Sequence, residues 1–370
     1  MKKTLVTLAV LGSFTGVASA ATSVTLYGTV DGGYEGWAFK KDFSSANNTF
    51  VQGGTSESNS IFGIKGQEDL GNGLSAIFKL EGRLGADTGA IAEGESLFHR
   101  EATVGLKGSF GEVKIGRAKS QMELALGGIV PGHRVADVDL YSVALTRHSN
   151  GLFYSYDNAG FTFGADVTTK GGASGNSYTV GTPATTYTEG QRGGKIGYGA
   201  RLGYAGQVGG GVTLLARAAY QNDGYNVYEN NDVTQREAGG LLAVMVPYAN
   251  NSLTAGVAYA EGKGYASDLT DAKGLIGGRI YADKARTMSA VIASSFGSSD
   301  SAYVKYQQRK GTVGGETVYN GNVWALGYEH NLSKRTSVYA DAAYATIKNT
   351  GGEADKGVAI GYSVGVAHNF

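Results

Sequence analysis

Apolar and polar residues alternate with a period of two along most of this chain. In 357–370, Val358, Ile360, Tyr362, Val364, Val366, His368 and Phe370 share one face, and Ala359, Gly361, Ser363, Gly365, Ala367 and Asn369 the other. The same pattern sets Val24, Leu26, Gly28 and Val30 against Thr25, Tyr27, Thr29 and Asp31. It recurs over 161–168, 195–208 and 212–220, where Asp166, Arg201 and Arg217 fall on the second face. Successive side chains of a strand point to opposite sheet faces. An apolar face opposite a small, polar and charged one excludes a sandwich core and fits lipid on one side, water on the other.

Connections alternate in length. Asn/Gly-type turns at 71–73, 157–160, 209–211 and 249–251 are the short ones. Polar stretches at 39–59, 169–193, 221–235 and 262–284 are the long ones. Short turns on one rim and long loops on the other predict an all-β, 16-stranded antiparallel transmembrane β-barrel. Because an even strand number is expected, 275–281 is assigned to a loop. Strand parity over 98–106 stays ambiguous. Tyr34, Trp37, Tyr156, Tyr220, Tyr248, Tyr259 and Tyr344 near strand ends fit aromatic girdles at the two interfaces.

Composition narrows the picture. Lys2 and Lys3, the apolar run from Leu5 to Val17 and Ala18-Ser19-Ala20 read as a secretory signal over 1–20, leaving 21–370 as the barrel domain. That run is shorter than the ~20 apolar residues a spanning helix needs. Without Lys2 and Lys3, the 32 basic and 32 acidic residues become 30 against 32, a balance of −2, which gives no footprint for nucleic acid. With no Cys, disulfides and thiolate chemistry are excluded. His99, His133, His330 and His368 have no metal-ligand spacing, so neither metal nor cofactor is expected.

Several stretches resemble the general porins of the β-proteobacterial (neisserial) type. Val24-Thr25-Leu26-Tyr27-Gly28 is similar to their first strand, and Gly63-Ile64-Lys65-Gly66-Gln67-Glu68-Asp69-Leu70-Gly71-Asn72-Gly73-Leu74 to their most distinctive hairpin. Val104-Gly105-Leu106, then Phe110-Gly111-Glu112-Val113-Lys114-Ile115-Gly116-Arg117, resembles their approach to the constriction loop. Asn331-Leu332-Ser333-Lys334-Arg335-Thr336 resembles the turn before the penultimate strand. Phe370, in register with the lipid-facing residues, resembles the C-terminal signal read by the outer-membrane barrel assembly machinery.

The resemblance implies a homotrimeric pore in outer-membrane lipid through which ions and small hydrophilic solutes diffuse. It also implies that the third long loop, roughly 118–146, folds inward and narrows the lumen. That loop carries Glu123, His133, Arg134, Asp137 and Asp139. Wall candidates by motif match are Arg100, Arg117 and Arg147; Lys65, Lys79, Arg83, Arg201 and Arg217 are candidates by inward parity. Loop acids facing a basic wall would set selectivity. Ile61 and Ala367 stand where the family commonly has Arg, so the expected anion preference is weak.

Two other barrel functions compete: a substrate-specific channel, marked by an aromatic track to which only Tyr27 and Tyr303 contribute, and a non-conducting surface adhesin. An enzyme is not expected. His148-Ser149-Asn150-Gly151 is close to the His-x-Ser-Asn-Gly pattern of outer-membrane phospholipases. Adjacent strand residues point oppositely, so His148 and Ser149 are not expected to share a face.

If Phe370 is the assembly cue, its deletion lowers the amount of folded protein in the outer membrane several-fold and leaves the conductance of assembled pores unchanged. Quantitative immunoblotting of membrane fractions checks this, and wild-type yield rejects the signal.

Overall fold

The computed structural model describes residues 23–40, 47–50, 60–86, 89, 91, 97–127, 146–169, 178–180, 185–187, 196–223, 236–265, 282–349 and 356–370. The first half of the wall is built from β1 (Ser23–Lys40), β3 (Ile61–Gly71), β4 (Leu74–Arg83), β5 (Glu101–Gly108), β6 (Gly111–Lys119), β7 (Arg147–Asn158) and β8 (Phe161–Thr168). It continues through β11 (Gly197–Gly209), β12 (Val212–Asn222), β13 (Arg236–Tyr248), β14 (Asn251–Tyr265), β15 (Ala282–Phe296), β16 (Asp300–Val313), β17 (Glu316–Asn331), β18 (Thr336–Asn349) and β19 (Lys356–Asn369). The short β2 (Asn47–Phe50) extends the β3 position beside the second half of β1. A separate hairpin joins β9 (Tyr178–Val180) and β10 (Thr185–Tyr187).

Every wall strand pairs antiparallel with its neighbours, and β1 closes on β19 from Thr29↔Asn369 to Lys40↔Val358. The sixteen-stranded expectation therefore holds. Closure matters because an open edge in hydrocarbon would leave backbone N–H and C=O groups without partners, at several kcal/mol each. The chain end completes the ring: Phe370 N–H donates to Gly28 O at 3.0 Å, and Gly28 N–H to Phe370 O at 3.3 Å.

Outward residues are apolar as the alternation predicts. Leu26, Leu202, Val257, Ile292, Val304, Leu326 and Val364 are all exposed, whereas the alternating Asp31, Glu35, Asp166, Asp341 and Ser363 are buried on the lumen side. Short turns use positive φ where two-residue hairpins require it: Asn72 at 53°, Ala159 at 49°, Ala249 at 50°. Among the long connections there is one departure. β16 and β17 meet on that rim through Gly314 (φ 58°) and Gly315 (φ 89°), a tight turn with both central residues at positive φ.

Three loop boundaries differ from the pattern reading. β14 runs to Tyr265 and β15 starts at Ala282, so the connection is shorter than 262–284; the stretch 275–281 lies outside the described residues, as do 1–22. Likewise β1 reaches Lys40 and β12 reaches Asn222. Polar residues above the membrane still extend ladders, because pairing needs only backbone groups. Trp37 is not a girdle residue. It is 6% exposed, faces the lumen, and donates from Nε1 to Glu35 Oε1 at 2.6 Å.

The inward aromatics explain why Gly and Tyr are both abundant. Tyr27 lies over Gly63, Tyr303 over Gly327, Tyr339 over Gly365 and Trp37 over Gly361, each on a paired strand. A flat ring needs a neighbour without a side chain; at Gly361 an added Cβ would sit 2.8 Å from the Trp37 ring.

Gly361→Val is therefore expected to destabilise the barrel by about 1–3 kcal/mol through overpacking. The readout is a lower temperature for loss of the fast-migrating folded band on SDS gels, and an unchanged transition means the ring moves aside freely.

Candidate functional site

The lumen-facing wall is charged on one side and docks a helix on the other. On the first side, Lys65 and Lys79 are directly opposite each other on β3 and β4. Lys79 Nζ lies 2.8 Å from Glu101 and 3.1 Å from Glu81, and Arg100 Nε donates to Glu81 Oε1 at 2.8 Å. Tyr27 O–H also donates to Glu81 at 2.8 Å. Arg100 precedes β5 and is buried, so its charge is spent on Glu81 rather than on passing ions. Arg83 is half-buried on the same inward face.

Below this cluster, towards the short turns, lies a groove of 280 Å³ lined in part by Lys65, Lys79, Lys107 and Lys114. Their registers place them on three successive rows: Lys65↔Lys79, then Gly105↔Lys114, then Lys107↔Glu112. Glu112 pairs with Lys114 at 2.8 Å. Lys107 and Lys114 were not among the sequence candidates, because the uncertain parity of 98–106 hid that Lys107 shares the inward face of Glu101 and Thr103. On the inward face of β16, Lys305 and Arg309 were missed as well; the alternation Val304-Lys305-Tyr306 was sufficient to find the first.

Across the lumen, α1 (Gln121–Leu126) follows β6 and rests on the inner face of β8, β11, β12 and β13. It begins with Ser120-Gln121-Met122-Glu123, a capping-box sequence, and Ser120 Oγ accepts from Glu123 N–H at 3.2 Å. Met122, Ala125 and Leu126 pack on Ala219, Leu241, Ala243, Ala258 and Ala260. Those wall residues are apolar on what is otherwise the polar side, and the helix is what they bury.

Arg201 and Arg217 hold this helix. Arg217 Nη1 donates to Leu124 O at 3.3 Å and to Gly127 O at 3.1 Å, at the helix C-terminus where unpaired carbonyls concentrate negative charge. Arg201 Nε donates to Gln121 Oε1 at 3.5 Å. Glu123 turns to Lys119 Nζ at 3.4 Å instead of to either arginine. His133, Arg134, Asp137 and Asp139 lie outside the described residues.

The base of the loop departs from strand parity. Asn150 takes φ 52°, Gly116 takes φ 127°, and the β6–β7 register skips between Gly116↔Gly151 and Ala118↔His148. The bulge puts Arg147, His148 and Ser149 all into the interior, each under 10% exposed. The expectation that His148 and Ser149 face opposite ways is thus wrong; a bulge re-aims side chains. They still do not pair. His148 Nδ1 is 2.6 Å from Asp166 and Nε2 3.2 Å from Asp223, while Ser149 Oγ accepts from Arg117 Nη1 at 2.6 Å. Arg117 also donates to His99 O, and Arg147 Nη1 to Thr146 Oγ1 at 3.4 Å. From His148 the chain of contacts runs through Asp223 and Gln221 to Met122 N–H. These polar groups tie β7, β8 and β12 to α1.

A family model for Gram-negative porins matches residues 7–351. An outer membrane porin of Bordetella pertussis is 30% identical, with both chains fully covered. Outer membrane porin protein 32 of Delftia acidovorans is also 30% identical over the full length of both. Among solved structures, an anion-selective porin from Comamonas acidovorans covers 94% of this chain and 100% of its own, at TM-score 0.60 and 22% identity. OmpT of Vibrio cholerae in a trimer form covers 95% and 100%, at TM-score 0.62 and 15% identity.

Replacing Arg217 by Ala removes two charge-assisted bonds to α1, each contributing about 1.5–3 kcal/mol. Open-channel current in planar bilayers is expected to become noisier and larger, while the temperature at which the barrel unfolds stays the same. A quiet trace of wild-type amplitude shows that the apolar contacts alone seat the helix.

Proposed function

Because the chain belongs to the Gram-negative porin family, and so forms a channel in the outer membrane, we propose that it is a general-diffusion pore with a weak anion preference. The observation that carries the preference is the groove of Lys65, Lys79, Lys107 and Lys114. Asp69 and Glu112 share the lowest of the three rows, Glu112 is paired with Lys114, and Glu81 and Glu101 are already committed to Lys79 and Arg100. Anions descending this wall meet successive positive sites without a bound intermediate.

Magnitude decides for weak over strong selectivity. A unit charge acting across about 10 Å of water contributes about 0.4 kcal/mol. Screening at physiological salt leaves roughly a third of that. The two groove lysines outside those ion pairs, Lys65 and Lys107, therefore supply about 0.3 kcal/mol, and even about 0.7 kcal/mol is only a threefold permeability ratio. The absence of Arg at Ile61 and Ala367 is consistent with this. In this reading 118–146 narrows the lumen, with Arg201 and Arg217 anchoring the loop and the lysine groove facing the passing solute.

The Comamonas relative of similar fold is described as anion-selective, and the Vibrio protein as occurring in a trimer form; both support the same properties here. Phe370 serves as the cue for the barrel assembly machinery and 1–20 as the export signal. A substrate-specific channel would need an accessible aromatic track. Trp37, Tyr303, Tyr319 and Tyr339 are instead 6% exposed or less, folded flat on the wall.

The deciding experiment is the reversal potential across a KCl gradient. Wild-type protein is expected to favour chloride a few-fold, and Lys107→Glu with Lys114→Glu to move the pore to neutral or cation preference. An unchanged reversal potential in the double variant removes the groove from the selectivity path, and no conductance steps at all would return the adhesin reading.

A further inference from the structure

His148 stands between two carboxylates. Its Nδ1 is 2.6 Å from Asp166 Oδ2 on β8, and its Nε2 is 3.2 Å from Asp223 Oδ1, just past the end of β12. An ionised carboxylate only accepts hydrogen bonds, and a neutral imidazole carries a single N–H. Two carboxylates on two ring nitrogens are therefore both satisfied only by an imidazolium. All three side chains are 5% exposed or less, so a ring lone pair turned to either acid has no water to stand in for the missing proton.

The two contacts are not equal. The second oxygen of Asp166 turns to Gly199, its partner on β11, and finds no donor among the described residues. The charge of Asp166 thus depends on Nδ1, the shorter contact. Asp223 Oδ1 also accepts from Gln221 Nε2, and Gln221 Oε1 accepts from Met122 N–H at 3.3 Å, in the first turn of α1. Asp223 thereby fixes which end of the Gln221 amide faces the helix, since a flipped amide would set Nε2 against Met122 N–H, donor on donor. When the ring keeps one proton, Nδ1 holds it for Asp166. The Nε2 contact is given up, and that is the one leading to α1.

The charged groups on the surrounding elements have partners of their own. Arg117 of β6 bonds Ser149, Lys119 pairs with Glu123 of α1, and Arg201 of β11 bonds Gln121. Arg147, next to His148 on β7, bonds Thr146, and Glu237 of β13 lies directly opposite Gln221. Histidine is the side chain whose ordinary titration lies nearest neutral pH. Besides His148, the local one is His99, whose carbonyl accepts from Arg117.

We propose that His148 is the positioning residue of the constriction. As an imidazolium it fastens α1 through Asp223 and Gln221, and loss of its second proton loosens the helix at Met122. Arg217 still grips the far end of α1, so the helix shifts on the wall without leaving it. The pore is thus latched at neutral pH and gives way as the medium turns alkaline. This rests on the reading that 118–146 narrows the lumen.

The test is open-channel current noise of the full barrel in planar bilayers, recorded from neutral to alkaline pH. Wild-type current is expected to be quiet at neutral pH and to turn noisier in one titration step as the pH rises. His148→Gln, whose uncharged amide cannot serve both acids, is expected to be noisy at neutral pH and flat across the range. Asp223→Asn keeps an oxygen acceptor for Nε2 and Gln221 but removes one charge facing the ring. It is expected to move the step to lower pH by at least about one unit, whereas a role in packing alone leaves the step in place. Wild-type noise that ignores pH, or a step that survives in His148→Gln, overturns the proposal. Should His148→Gln fail to fold, an unshifted step in Asp223→Asn overturns it instead. If Arg217→Ala is noisy while the wild type ignores pH, the latch alone fails; if both are silent, the reading of 118–146 as the constriction fails with it.

Discussion

Backbone hydrogen bonding in hydrocarbon is the constraint on which this molecule depends. An unpaired peptide group in the bilayer core has no water to fall back on, so the sheet must close, and β1 must find β19 across the whole sequence. Closure makes the two faces of every strand unequal. One meets lipid and tolerates almost any apolar residue, while the other meets water, a facing wall or a docked segment, and is where individuality resides.

Inside, two devices manage crowding. Flat aromatics over glycines, as with Tyr303 on Gly327 and Trp37 on Gly361, fill pleats without projecting into the lumen. Ion pairs such as Arg100–Glu81 and Lys79–Glu101 keep buried wall charges compensated, since a partner within hydrogen-bonding reach offsets desolvation. Lys65 on β3 and Lys107 on β5 lie outside those pairs, and in the proposed pore they are what a solute in transit meets. Arg217 of β12 instead holds backbone carbonyls at the end of α1, and Arg201 of β11 the Gln121 side chain, which turns charge into position.

The helix itself illustrates a local exception with a tertiary cause. Leu241, Ala243, Ala258 and Ala260 break the polar-inside rule, and they do so where Met122 and Leu126 cover them. On the outer face the apolar pattern is broken by the rows Glu261↔Arg286↔Lys310 and Arg236↔Lys263↔Lys284 above Tyr259 and Met288.

Much was legible in the sequence alone, because period-two alternation is a direct consequence of strand geometry. Strand number, the lipid-facing set, the short-turn rim and the inward placement of Lys65, Lys79, Arg201 and Arg217 all follow from counting residues in register. Counting fails wherever register slips. The bulge at Asn150 brought His148 and Ser149 to one face, and the unclear start of β5 concealed Lys107 and Lys114. Nor does parity say what an inward charge touches. Arg217 on helix carbonyls, Arg100 on Glu81 and the like-charge rows of β13–β16 depend on which strands become neighbours. That adjacency is a property of the closed sheet, in which residues far apart in the chain share one row.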